Sequence, residues 1–123
     1  MFIPQHTRIY VAIDPVDMRK SHHGLSAIVR DNLNLDPLSG NLFLFINKRG
    51  NLLKLLFFDR TGMAILYKRL EAGTFQKPAT HGEHKAEIDP AQLAMLLEGI
   101  DLRKGVRRKR YSRAKDIARH RKT

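Results

Sequence analysis

Cysteine is absent from these 123 residues. That excludes a disulfide framework, thiol chemistry and any zinc or iron–sulfur site built on thiolates. Long hydrophobic runs are absent too: stretches such as Leu42–Ile46 and Leu55–Phe58 fall far short of the ~20 residues that cross a bilayer. The opening Met1-Phe2-Ile3-Pro4-Gln5-His6 has no basic region leading into an apolar stretch, so no secretory signal is expected and a cytoplasmic location is the default. Recognisable catalytic loops are missing. There is no Gly-x-Ser-x-Gly elbow, the glycines follow no dinucleotide-binding pattern, and no Gly-Lys-Ser/Thr string marks a P-loop. No cofactor is expected.

Acidic residues are scarce in one place only, the C-terminal end. The chain carries 23 Lys/Arg and 12 Asp/Glu, of which 11 and 1 fall in residues 103–123. Residues 1–102 are left with 12 bases and 11 acids, nearly neutral, while the last 21 residues hold a net charge of +10. The bases are Arg103, Lys104, Arg107, Arg108, Lys109, Arg110, Arg113, Lys115, Arg119, Arg121 and Lys122, opposed by Asp116 alone. The expected organisation is a compact domain over 1–102 followed by a polybasic, flexible tail over 103–123. Such a charge density attracts a polyanion and gains entropy when condensed counterions are released. Membrane attachment would need apolar anchors, and Val106, Tyr111 and Ile117 are too few. The eleven bases are therefore the candidate nucleic-acid-binding residues, directed at the DNA backbone.

Periodicity gives the domain's elements. Ile9, Val11 and Ile13 alternate with Tyr10 and Ala12, a half-buried strand. Asp14-Pro15 reads as an N-cap with proline at the first helical position, and Met18, Leu25, Ile28, Val29 and Leu33 follow helical spacing, which predicts a helix over 15–33. Residues 42–46, 52–58 and 63–67 are short apolar runs separated by Asn47-Lys48-Arg49-Gly50 and Asp59-Arg60-Thr61-Gly62, each ending in a glycine suited to a positive-φ turn. They predict a three-stranded antiparallel meander. His84–Ile88 supplies another short strand, and Asp89-Pro90-Ala91-Gln92 carries a capping-box signal for a second helix through Leu93, Leu96, Leu97 and Ile100. The expected fold class is α+β: a small antiparallel sheet, the central meander plus edge strands, with two helices packed on one face. Its core should include Leu25, Ile28, Leu44, Leu55, Phe57, Ile65, Leu93, Leu96 and Leu97.

Six strings in this order, over roughly residues 8–103, resemble a bacterial family. They are Asp17-Met18-Arg19-Lys20 with Gly24-Leu25, Gly40-Asn41-Leu42-Phe43-Leu44-Phe45, Arg49-Gly50 with Lys54, Asp59-Arg60-Thr61-Gly62, Lys68-Arg69-Leu70-Glu71-Ala72-Gly73-Thr74-Phe75, and Leu96-Leu97-Glu98-Gly99-Ile100-Asp101. Together they resemble the small accessory (TnpB-type, second open reading frame) proteins of the IS-sixty-six group of insertion sequences. The resemblance implies a role in DNA transposition beside a larger DDE-type transposase that performs the strand chemistry.

Asp14, Asp17, Asp59, Glu71 and Glu98 are the acids a metal-dependent nuclease would need. Each has a plainer use at a helix start, a turn or an element end, so no catalytic residue is assigned. His22-His23 point in different directions on a helix, and His81/His84 fall in a loop without further ligands, so no metal site is assigned. Arg19, Lys20, Arg49, Lys54, Lys68 and Arg69 are candidates for a basic patch on the body. The expected function is a non-catalytic accessory factor that binds DNA through the tail and contacts the transposase or itself through the body. The alternative is an adaptor that docks to the transposase without binding DNA.

Overall fold

The computed structural model describes residues 4–100. The whole expected tail, 103–123, lies outside the described residues. Among the described residues seven elements follow one another: β1 (Ile9–Ala12), α1 (His22–Asp31), β2 (Leu42–Ile46), β3 (Leu52–Asp59), β4 (Gly62–Arg69), β5 (Lys85–Ile88) and α2 (Pro90–Leu97). The strands form one five-stranded sheet in the order β4-β3-β2-β1-β5. β2, β3 and β4 run antiparallel in chain order, with Leu44 opposite Leu55 and Leu55 opposite Leu66. β5 returns to pair antiparallel with β1, placing Ile88 opposite Ile9.

The sheet is mixed, which corrects the all-antiparallel expectation: β1 and β2 are parallel, with Ile9 opposite Leu42. A parallel pair needs a long crossover, usually helical, and α1 lies in the connection between these strands. The helices also lie on opposite faces, where one shared face was expected. Ile9, Val11, Leu42, Leu44, Ile46, Leu53 and Leu55 pack with Phe75, Leu93 and Leu96 of the α2 side. Their alternates Tyr10, Ala12, Phe43, Phe45 and Leu56 pack with Val16, Leu25, Val29 and Leu33 of the α1 side. The cause is β2, whose five residues are all apolar and all buried. A strand without a polar side must be covered on both faces. The result is three layers, helix, sheet, helix.

The first helix is shorter than the sequence predicts. Residues 15–21 form a strap across the sheet, and α1 begins only at His22, after Ser21, whose side chain makes no capping bond. Asp14-Pro15 is not a cap here. Val16, 7 % exposed, donates its N–H to the Ile46 carbonyl at 2.9 Å, and the strap's carbonyls serve a lysine described below. Asp17 instead closes a local turn, accepting from the Arg19 N–H at 2.9 Å.

α2 matches its local signals closely. Asp89 Oδ1 accepts from the Gln92 N–H at 2.7 Å, and Gln92 Oε1 accepts from the Asp89 N–H at 2.9 Å, a complete capping box. At the other end Gly99 takes φ +76°, with Gly99 N–H donating to Leu96 O and Ile100 N–H to Met95 O. That pair of bonds is the Schellman arrangement, which satisfies carbonyls the helix leaves open. Gly50 takes the positive φ expected at the β2–β3 turn. In the β3–β4 hairpin the left-handed residue is Arg60, φ +48°, and Gly62 pairs with Asp59 as a strand residue.

Candidate functional site

The strap is held to the sheet by a buried charge. Lys54, on β3, is 8 % exposed, and its ammonium donates to the carbonyls of Met18 at 2.8 Å and Lys20 at 2.7 Å. Its nitrogen also lies 4.9 Å from the centre of the Tyr67 ring, the cross-strand neighbour on β4. Two carbonyl dipoles and a ring face satisfy the three N–H donors, which lets a cation stay buried without a carboxylate.

Above this anchor a cleft of about 620 Å³ opens between the strap and the β2–β3 turn. Val16 and Met18 of the strap, with Leu52 and Tyr67 of the sheet, give it an apolar lining; Asp17, Arg19, Lys48 and Arg49 give it charge. Arg19 forks onto Asp17, with Nε at 2.9 Å and Nη2 at 2.6 Å from Oδ2. The Arg19 side chain and N–H hold the Asp17 carboxyl down at about 2, so this acid stays ionised yet compensated. Lys48 and Arg49 are exposed and have no hydrogen-bond or ion-pair partner among the described residues. The cleft therefore joins an aromatic ring, an apolar lining and two uncompensated cations.

The six residues considered for a basic patch lie in different places. Arg19 and Arg49 share the cleft, and Lys54 is a buried anchor beneath it. Lys20 lends its carbonyl to Lys54 and lies along Gly24. Lys68 faces the other way, its ammonium on the Leu97 carbonyl at 2.8 Å. Arg69 is exposed at the end of β4. Successive strand residues point to opposite faces, so neighbours in sequence cannot build one patch. Lys48 and Tyr67 were missed. The strand register would have found Tyr67, because it sets that ring opposite Lys54.

Using an ammonium to hold a carbonyl is a general device of this body. Lys77 donates to Ile13 O at 2.6 Å and Lys85 to Leu33 O at 2.6 Å, joining Lys54 and Lys68. Burial pushes the Lys77 ammonium below its ordinary pKa. Arg8 and Arg30 pair with Glu87 and Asp31. Nominal charge thus overstates what the body offers a ligand.

The candidate carboxylates are scattered. Asp14 meets His84 Nδ1 at 2.6 Å, Asp17 meets Arg19, Asp59 opens the hairpin, Glu98 ends α2, and Glu71 is exposed. Among the described residues no group of three or more His, Asp or Glu is placed to hold a metal. The eleven tail bases lie outside the described residues. No described helix is long and apolar enough to cross a membrane.

The sequence matches the family described as "IS66 Orf2 like protein" over residues 7–107. The chain belongs to the IS66 Orf2-like family. It is 42 % identical over 99 residues to the uncharacterized protein y4hO of Sinorhizobium fredii, covering 80 % of this chain and 85 % of that protein. It is 35 % identical over 111 residues to the uncharacterized protein y4jC of the same organism, covering 90 % and 93 % respectively. No solved structure matches. Four of the six strings that carried the resemblance meet in two pairs in this chain. Lys54 grips Met18 and Lys20 from the first string, and Lys68 grips Leu97 from the last. Membership ties the chain to insertion-sequence transposition.

Proposed function

We propose that this protein is a non-catalytic accessory factor for transposition of its insertion sequence, acting beside a separate DDE-type transposase. Residues 103–123 bind DNA through the phosphate backbone, largely indifferent to sequence, and the body formed by residues 1–102 docks to the transposase in the cytoplasm. The observation that carries this reading is the charge asymmetry: +10 over the last 21 residues against a nearly neutral remainder. The fate of the body's lysines supports it, since four of them hold backbone carbonyls and are not free for phosphate. The scattering of the carboxylates, with Asp14 held by His84 and Asp17 by Arg19, supports an accessory role over strand chemistry.

The test is fluorescence anisotropy on a terminal-repeat duplex and a scrambled duplex across a salt series. If about six tail bases neutralise phosphates, log K falls against log salt with a slope of roughly −5, equal for both duplexes. Replacing Arg107, Arg108, Lys109 and Arg110 by Ala flattens the slope by up to about 4. Equal duplex affinity with and without residues 103–123 would reject the arm and leave the adaptor reading, in which the body docks to the transposase without touching DNA.

A further inference from the structure

The cleft beside the β2–β3 turn plays no part in the tail's reading, yet it sets an exposed ring beside two unpartnered cations. We infer that it seats unpaired DNA, with a base stacked on Tyr67 and the flanking phosphates held by Lys48 and Arg49. This deepens the DNA-binding reading but rests on separate residues.

Tyr67 is 53 % exposed, one of the few large apolar side chains open to solvent among the described residues. It is also fixed in place, because the Lys54 ammonium lies 4.9 Å from the ring centre and is itself held by two strap carbonyls. A ring held from below and open to the cleft is a stacking platform, and every base has a π-face to offer it. In a duplex those faces are covered by neighbouring base pairs, so the platform selects unpaired nucleotides.

The turn that carries the cations is braced. Lys48 and Arg49 sit on a turn braced by Asn47, which donates to Asn51 Oδ1 at 2.9 Å and accepts the Leu52 N–H at 3.0 Å. Gly50 supplies the left-handed φ of +80° that the turn requires. Neither cation has a partner among the described residues, and the acid in the cleft, Asp17, is already neutralised by Arg19. A phosphate therefore meets attraction without an opposing free carboxylate. The volume of about 620 Å³ is within the range of about 300–1,000 Å³ usual for small-ligand clefts, room for a base and sugar.

The experiment uses the full chain and anisotropy of labelled oligo-dT, with a duplex of equal length beside it. Tyr67→Ala should weaken oligo-dT binding roughly five- to a hundred-fold, the range for losing one stacked base, while Tyr67→Phe keeps the affinity. Lys48→Gln with Arg49→Gln should lower the salt slope for oligo-dT by about 1.4, two contacts at about 0.7 each on a single strand. This double variant changes only exposed turn residues and keeps the test decisive should Tyr67→Ala unfold the chain. Duplex affinity should hold in all three. A chain with Arg107, Arg108, Lys109 and Arg110 replaced by Ala should lose duplex affinity and keep the Tyr67-dependent oligo-dT binding, which separates failure of the arm from failure of the cleft. Unchanged oligo-dT affinity in both Tyr67→Ala and the double variant overturns the inference. So does tighter binding of oligo-rU than oligo-dT, or transposase capture that depends on Tyr67 when oligo-dT binding does not.

Discussion

The two covers of the sheet meet the same burial demand by different means. On one face, α2 carries its own instructions: Asp89 and Gln92 cap each other, Gly99 closes the far end, and Lys68 takes the Leu97 carbonyl. On the other, α1 starts without a side-chain cap, and the strap before it is pinned by Lys54 through bonds spanning 36 and 34 residues. One cover is defined by adjacent residues and the other only once the sheet exists beneath it. That difference also explains why the cleft lies on the α1 side. A segment that is not helical leaves its carbonyls and side chains available to build an opening.

The comparison breaks most decisively if the covers share a face. Leu25→Ala and Leu96→Ala, both at 0 % exposure, should each cost about 2–5 kcal/mol. Their double mutant should equal the sum within about 0.5 kcal/mol, because side chains in separate clusters share no direct partner. Denaturant melts of the four proteins check this, and a coupling above about 1 kcal/mol would put both leucines in one core.

Next in size is the long-range pin. Lys54→Met strands the Met18 and Lys20 carbonyls and should cost about 1–3 kcal/mol, with faster amide exchange across residues 15–21. Lys68→Met should cost less, since a carbonyl at a helix end can reach water instead. Equal losses would erase the distinction between the covers.

The caps sharpen it further. Asp89→Ala should lose about 0.5–2 kcal/mol, whereas Ser21→Ala, removing a side chain that makes no capping bond, should leave the melting temperature nearly unchanged.

The smallest effect is the titration of Asp17. Its carboxyl is held at about 2 in the folded chain and lies near 4 when unfolded. The Arg19 fork therefore stabilises fully above about pH 4, and that contribution is lost as pH falls through about 2. The pair is exposed, so salt weakens it. NMR titration should find the Asp17 midpoint near 2, moving up toward the ordinary carboxyl range in Arg19→Gln. A wild-type midpoint near 4 would remove the fork from the strap.

What could be read from the sequence follows the same division. The capping box, the strands expected at 42–46 and 52–58, and the burial of Leu25, Leu44, Leu55, Leu93 and Leu96 were legible because their signals are local or periodic. Ile28, Phe57, Ile65 and Leu97 are only partly buried. The strap was not legible. Asp14-Pro15 has the local form of a cap, but the Val16 N–H is taken by Ile46 of the sheet. The second cover could have been foreseen, because Leu42–Ile46 offers no residue suited to water. The pin could not, since Lys54 bonds to carbonyls, and every residue carries one. For the same reason the cleft was half legible: Arg19 and Arg49 were flagged by charge, Tyr67 only becomes relevant through its register.

β1 sits between β2 and β5, so Ile9 has Leu42 on one side and Ile88 on the other. On the ribosome those neighbours arrive at very different times. Of these elements β1 is made first, α1 and β2 follow, and β5 and α2 come after β3 and β4. Pairings between distant segments are the slow part of folding. Until β5 arrives, β1 keeps an open edge, and Ile9 and Val11 lack the cover that α2 supplies, a state prone to association with other chains. Covering the α1 side therefore does not wait for β5 or α2, whereas the opposite face stays open until α2 docks.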